Sequence, residues 1–461
     1  MTQTQVRPPA TDGDPAGALA VQPLRGQQAT FLANPAFRLA QNAVTRNGLD
    51  DIALNQRVVF ETDHTFSTLL DDWGVTNQKQ TGRCWMFAGL NLLRFAARTS
   101  FDVKEFEFSQ NYLMFWDKLE RANYFLEAIL DSADRDVGDR SIAFLLDAPL
   151  SDGGQWNMFV NLVQKHGLVP KAVMPETDSS SNSRRMNGVL RSKLREGARR
   201  LRTLHSRGAS LDQMRATKQD YLQSVNRILC IHLGMPPERF VWQWRDTASA
   251  FHRTQELTPQ QFATQFVDLP LDDYVCLVHD PRPSNPPGRT YTVQYLGNVV
   301  GGQRVTYLNV EMGLMKRVAQ RTLEAGEPVW FGCDVGKQMR RDIGVMDRDM
   351  YDLEAVYDVP FELEKAARLE YGDTQMTHAM LFTGVDVVDG ESRRWRVENS
   401  WGAEHGQKGF FAMNDSWFDE FMFEIAARKE YLPAELQAAL DLEPVILPPW
   451  DPMGALAAIT S

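Results

Sequence analysis

The period of the apolar residues changes along this chain, and that change limits the folds open to it. After the turn Thr81-Gly82-Arg83, the residues Trp85, Ala88, Leu92, Phe95 and Ala96 recur at three- and four-residue steps, the spacing of one helical face. Residues 109–130 and 156–166 also read as helices. In the last third the texture differs. Short runs at 274–279, 305–309, 328–334, 379–388 and 395–399 read as strands. The last of them puts Trp395, Val397 and Asn399 on one face and Arg394, Arg396 and Glu398 on the other, as in a half-buried strand. Helices in front and strands behind predict an α+β fold.

Between these halves lies a change of composition. The polar string TDSSSNSR at 177–184 marks a boundary. Beyond it, residues 184–207 carry Arg184, Arg185, Arg191, Lys193, Arg195, Arg199, Arg200, Arg202 and Arg207. Helical patterning continues to Leu233, breaks at Pro236-Pro237 and resumes at Thr258-Pro259, with proline at the first helical position. Five segments are expected: a flexible, Pro/Gly/Ala-rich leader over 1–30, a helical lobe over 31–176, a helical insertion over 177–272, a β-rich lobe over 273–442 and an extended C-terminal arm over 443–461. The basic run reads as a solvated helix face.

Composition excludes several classes. With 461 residues, 43% of them hydrophobic, the chain can bury a full core and is not disordered throughout. The charge of 49 − 60 = −11 argues against nucleic acid as the main partner. No apolar run approaches the ~18 residues that span a bilayer, and the N-terminus lacks the basic and apolar stretches of a secretory signal. Cys84, Cys230, Cys276 and Cys333 form neither a disulfide framework nor a Cys-x-x-Cys pair. The expectation is a reduced, cytoplasmic protein with no membrane, metal or cofactor.

Chemistry concentrates in three strings, VTNQKQTGRCWMFA, MTHAMLFTGVD and VENSWG, which hold Gln78, Cys84, His378 and Asn399. A thiol attacks as thiolate, and its free pKa is about 8.5. A helix N-terminus at Cys84 and an imidazole from His378 would both favour the negative sulfur. Asn399 would fix the tautomer and orientation of that ring. The Gln78 amide, six residues before Cys84, would join the Cys84 backbone N–H in holding an oxyanion.

These strings, with Gly153-Gly154, PPERFVWQWRD and the tail PVILPPWDPMGAL, resemble the bleomycin hydrolase and aminopeptidase C branch of the papain-like cysteine peptidases, from about Phe60 to Leu456. Papain-type histidines follow the cysteine by about 130–150 residues. Here the gap is 378 − 84 = 294, and the insertion supplies much of the excess. Thr81 stands where secreted relatives carry a second cysteine three residues before the nucleophile, so a disulfide there cannot form. The resemblance implies a papain-like, two-lobed thiol aminopeptidase that assembles as a homohexamer. It also implies peptide substrates with a free N-terminus and an arm that blocks the far side of the cleft. Gly153 and Gly154 would line the substrate path, and Trp401 would cover the His378–Asn399 contact. The four residues Ala458-Ile459-Thr460-Ser461 exceed the usual arm, and are expected to sit in the cleft and be trimmed. The rival reading is a catalytically minor oligomer on the same fold that binds peptide or nucleic acid.

Overall fold

The computed structural model describes residues 18–70, 73–267 and 269–459. The chain divides into two compact units, residues 1–58 with 349–362, and residues 59–348 with 363–461. In the small unit the helices Val21–Ala33 and Pro35–Val44 bury none of their residues. Asn34 caps the second by accepting from the Ala36 N–H at 2.9 Å, with Pro35 at the first helical position. Of the leader expected over 1–30, residues 1–17 lie outside the described residues, and the chain is helical from Val21 onward.

The large unit holds, among the described residues, a sheet of twelve strands. Its centre is antiparallel and runs Tyr274–Val278, Met422–Arg428, Val329–Cys333, His378–Val388, Glu391–Glu398 and Phe410–Asn414. The strand Thr68–Leu69 pairs on the side with His378–Val388, which is buried over its first nine residues. A sheet so covered needs apolar residues on both faces, and HAMLFTGV supplies them. The fold is α+β, with helices and sheet meeting where His378–Val388 faces the helix Cys84–Phe101.

That helix reads as amphipathic in sequence but is buried on every side from Cys84 to Arg94. Its polar residues are not facing water. Asn91 and Arg94 donate to the Glu398 carboxylate at 2.7 and 3.0 Å. The same pairing corrects the half-buried strand expected at 395–399: Arg394 and Glu398 lie inside, Arg394 bonded to Asp63. Helix Gln110–Asp131 starts as its sequence indicates, with Ser109 accepting from the Tyr112 N–H.

Residues 177–272 hold the antiparallel helices Arg184–Ser206 and Leu211–Leu233, the helix Pro259–Phe266, and a two-stranded hairpin, Gln243–Arg245 with Phe251–Arg253. The hairpin departs from the all-helical insertion expected. Trp242 and Trp244 stack at 4.2 Å around it, an aromatic contribution that helical periodicity does not register. Three residues of the basic run grip backbone carbonyls. Arg191 bonds Leu150 O, Arg195 bonds Leu146 O and Asp147 O, and Arg202 bonds Ser132 O and Arg135 O. Leu146, Asp147 and Ser132 lie at helix C-termini, where a cation meets the negative end of the helix dipole. The arm is not wholly extended: it adds the strand Val445–Leu447 beside Thr290–Val293 and ends in a 3-10 turn, Pro452–Ala458.

Candidate active site

Cys84 is the first residue of its helix, following Arg83. Its thiol donates to Gly82 O at 3.9 Å, and the backbone amides of Ala379, Trp85 and Cys84 itself lie near enough to the sulfur to favour its charged form. Ala379 follows His378, whose strand packs against the helix that Cys84 begins. Trp330 and Trp85 hold this approach from behind, the Trp330 indole N–H donating to Trp85 O at 3.0 Å.

His378 and Asn399 are joined across the sheet. The register puts Leu381 opposite Glu398. Continued by one residue it sets Asn399 opposite Met380, so His378 is its diagonal neighbour on the same face. The His378 Nε2–H donates to Asn399 Oδ1 at 2.9 Å, which leaves Nδ1 as the lone-pair nitrogen of the neutral ring. Asn399 Oδ1 also accepts from the Ser400 N–H at 2.7 Å. Trp401 lies against the imidazole, ring centroids 4.9 Å apart, and the Arg341 guanidinium covers the indole at 4.4 Å.

Gln78 comes to the site through a short pairing of residues 76–78 with 400–402. Its N–H donates to Ser400 O, and the Gly402 N–H donates to Thr76 O. Gly402 has φ +77°, and a Cβ there would lie 2.6 Å from Asn77 Nδ2, so both conformation and space require glycine. The Gln78 amide is fixed at both ends: Nε2 donates to Thr81 O at 2.6 Å and Oε1 accepts from Ser400 Oγ at 2.7 Å. The amide nitrogen carries a second N–H beyond the one on Thr81 O.

The two glycines differ in what they accommodate. A Cβ on Gly153 would lie 1.9 Å from Leu456 O, in the arm, whereas a Cβ on Gly154 would lie 2.4 Å from the Trp85 ring. Gly153 therefore faces the arm at Leu456 and Ile459. Gly154 makes room for the Trp85 ring. The arm is anchored beside them: Asp152 and Gly153 N–H groups donate to Ile459 O at 2.9 and 3.2 Å, and Ser151 Oγ donates to Ala457 O at 2.5 Å. The Ile459 side chain lies 2.9 Å from where a Gly82 Cβ would be. Thr460 and Ser461 lie outside the described residues, and the expected trimming falls on them in part.

Cys84, His378 and Asn399 are each less than 5% exposed. Burial dominates their ionisation. It pushes the Cys84 thiol up to about 11, against the opposing pull of the nearby backbone amides. It pulls His378 down to about 4 against the Asn399 bond, with the Arg341 charge adding to the fall. The lowered thiol pKa expected from the helix terminus does not hold in this covered arrangement, because the cost of desolvating a charge outweighs it. Ser400, Arg341 and Asp152 were missed in the sequence, as no spacing rule joins them to Cys84; an acid directly before Gly153-Gly154 was the one visible signal. Among the described residues no group of three or more His, Cys, Asp or Glu is placed to hold a metal ion, and no helix is long and apolar enough to cross a membrane.

The chain is similar to known proteins over most of its length. The sequence profile described as "Peptidase C1-like family" matches residues 18–454. Aminopeptidase C of Lactobacillus delbrueckii subsp. lactis is 42% identical over 427 residues, covering 92% of this chain and 95% of the relative. Bleomycin hydrolase of Homo sapiens is 43% identical over 434 residues, covering 92% and 95%. The crystal structure of PepW from Lactobacillus rhamnosis HN001 superposes with a TM-score of 0.94 at 45% identity, covering 95% of this chain and 99% of that one.

Proposed function

Because the chain belongs to the Peptidase C1-like family and is a papain-like cysteine aminopeptidase, we propose that Cys84, His378, Asn399 and Gln78 perform the hydrolysis. The substrate is a peptide with a free N-terminus. His378 Nδ1 takes the proton of the Cys84 thiol, and the sulfur attacks the first peptide carbonyl. The oxyanion is held by the free N–H of Gln78 and the Cys84 backbone N–H. Imidazolium returns the proton to the leaving amine, which departs as the shortened peptide. Water then attacks the thioester with His378 as base, releasing the N-terminal amino acid and the thiol. Asn399 keeps the ring in the tautomer that presents Nδ1.

The observation that carries this reading is the 2.9 Å His378–Asn399 bond at the start of the strand that packs against the helix begun by Cys84. The restriction to N-terminal residues is supported by the arm. Leu456 and Ile459 lie on the Gly153 side of Cys84, where further substrate residues would otherwise run. Cytoplasmic location and a homohexameric assembly belong to the same proposal. The assembly is supported by Leu19, Val21, Leu32 and Leu39, exposed apolar side chains of the small unit, which a second copy of the chain would cover. The test is hydrolysis of one fluorogenic peptide with its N-terminus free and acetylated. The free form should be cleaved and the acetylated form spared. Equal cleavage of both would overturn the aminopeptidase restriction.

A further inference from the structure

A carboxylate outside the four proposed catalytic groups reaches the turn that presents Cys84. Asp152 Oδ1 accepts from Lys118 Nζ at 2.6 Å and Asn187 Nδ2 at 2.7 Å. Its Oδ2 accepts from Ser183 Oγ at 2.5 Å and from the Gly82 N–H at 3.4 Å. The Asp152 and Lys118 side chains are 0% and 1% exposed. The Asp152 main chain is engaged as well, its carbonyl accepting from the Trp85 indole at 2.8 Å and its N–H donating to Ile459 O. One residue thus touches the Cys84 turn, the helical lobe, the arm and the start of the inserted helix Arg184–Ser206.

The rest of the turn is tied to residues 176–182, at the start of the inserted segment. The Arg83 guanidinium bonds Glu176 at 2.8 and 3.1 Å and Ser180 O at 2.5 Å. The Gln80 N–H donates to Ser181 O at 3.0 Å, and Asn182 Nδ2 donates to Gln80 Oε1 at 2.8 Å. Thr81 offers no sulfur for a covalent staple, and all four cysteines are free. Non-covalent contacts must hold the turn.

We propose that Asp152 is a positioning residue, through which Ser183 and Asn187 of the inserted segment fix the Gly82–Cys84 turn for catalysis. A residue needed only for packing would be better uncharged here. The Asp152 charge disfavours the Cys84 thiolate, yet it is the acceptor that binds four donors from three elements at once. Lys118 offsets that charge, and burial opposes it, but the ammonium and the hydroxyl and amide donors hold the carboxyl well below the usual range.

The inference rests on the hydrolytic reading, and its test keeps the two apart. Wild type, Ser183→Ala, Ser183→Thr and Asp152→Asn are assayed for kcat and KM on a free aminoacyl amide. The pH dependence of Cys84 alkylation by iodoacetamide is measured in parallel. Ser183→Ala should lower kcat by on the order of tenfold or more, with KM within about twofold, and Ser183→Thr should restore it. Asp152→Asn should lower kcat further while moving the alkylation midpoint to lower pH, since the charge opposing the thiolate is gone. Wild-type kcat in Ser183→Ala, or equal loss in Ser183→Ala and Ser183→Thr, would overturn the proposal. If Asp152→Asn does not fold, the Ser183 pair decides. If wild type fails to turn over the amide, the hydrolytic reading falls, and the alkylation profiles still decide the role of Asp152.

Discussion

At the scale of single residues, burial acts on both partners of the proposed proton transfer. His378 is held neutral to about pH 4, whereas in the unfolded chain it charges near 6.5. Between those values the unfolded state binds the extra proton, so stability falls as pH drops from about 6.5 to about 4. The loss is on the order of 3 kcal/mol, from 1.36 kcal/mol per pK unit. Cys84 has the opposite sense, its contribution intact below about 9 and lost toward about 11. Urea unfolding of wild type and His378→Gln at pH 7 and pH 4.5 should show the acid loss in wild type and a smaller one in the variant. An equal loss in both would assign it elsewhere. Gly153→Ala gives a second check. Its Cβ has no room while Leu456 stays in place, so the arm must shift and iodoacetamide should reach Cys84 faster. An unchanged alkylation rate would mean that the arm does not control access.

At the scale of elements, the helix Cys84–Phe101 and the strand Glu391–Glu398 are joined by a buried ion pair. Arg94 and Glu398 meet at 3.0 Å with side chains 5% and 3% exposed, and Asn91 adds a bond to the same carboxylate. Breaking a buried pair by removing one partner costs about 3–5 kcal/mol. Arg94→Met should lower the denaturant midpoint accordingly, and Arg94→Met with Glu398→Leu should recover much of the loss. A single variant as stable as wild type would show that the pair is solvated. The sequence displayed the ends of such elements better than their surroundings. Helices 110–131 and 156–166 were legible from period and capping, because those signals are local. The burial of Asn91, Arg94, Arg394 and Glu398 was not, since each looks solvent-facing until its partner from hundreds of residues away is in place. The carbonyl bonds of Arg191, Arg195 and Arg202 were hidden in the same way. Gln78, Cys84, His378 and Asn399 stood out because their types are chemically unusual together. Asp152 did not, because its partners are ordinary polar residues.

At the scale of the whole molecule, the small unit offers a separate test. Val21–Ala33 and Pro35–Val44 bury nothing within the described chain, and Leu39 is 71% exposed. If that unit joins copies of the chain, Leu32→Asp with Leu39→Asp should reduce the sedimenting mass while leaving each subunit folded by circular dichroism. An unchanged mass, or a monomeric wild type, would remove the proposed assembly without touching the catalytic site. The central claim is that one sulfur performs the hydrolysis. Its most direct measurement is the rate on a free aminoacyl amide for wild type, Cys84→Ala, and wild type carrying one alkyl group mapped to Cys84 by mass spectrometry. The account predicts turnover only in the unmodified wild type. Undiminished turnover by Cys84→Ala would contradict it.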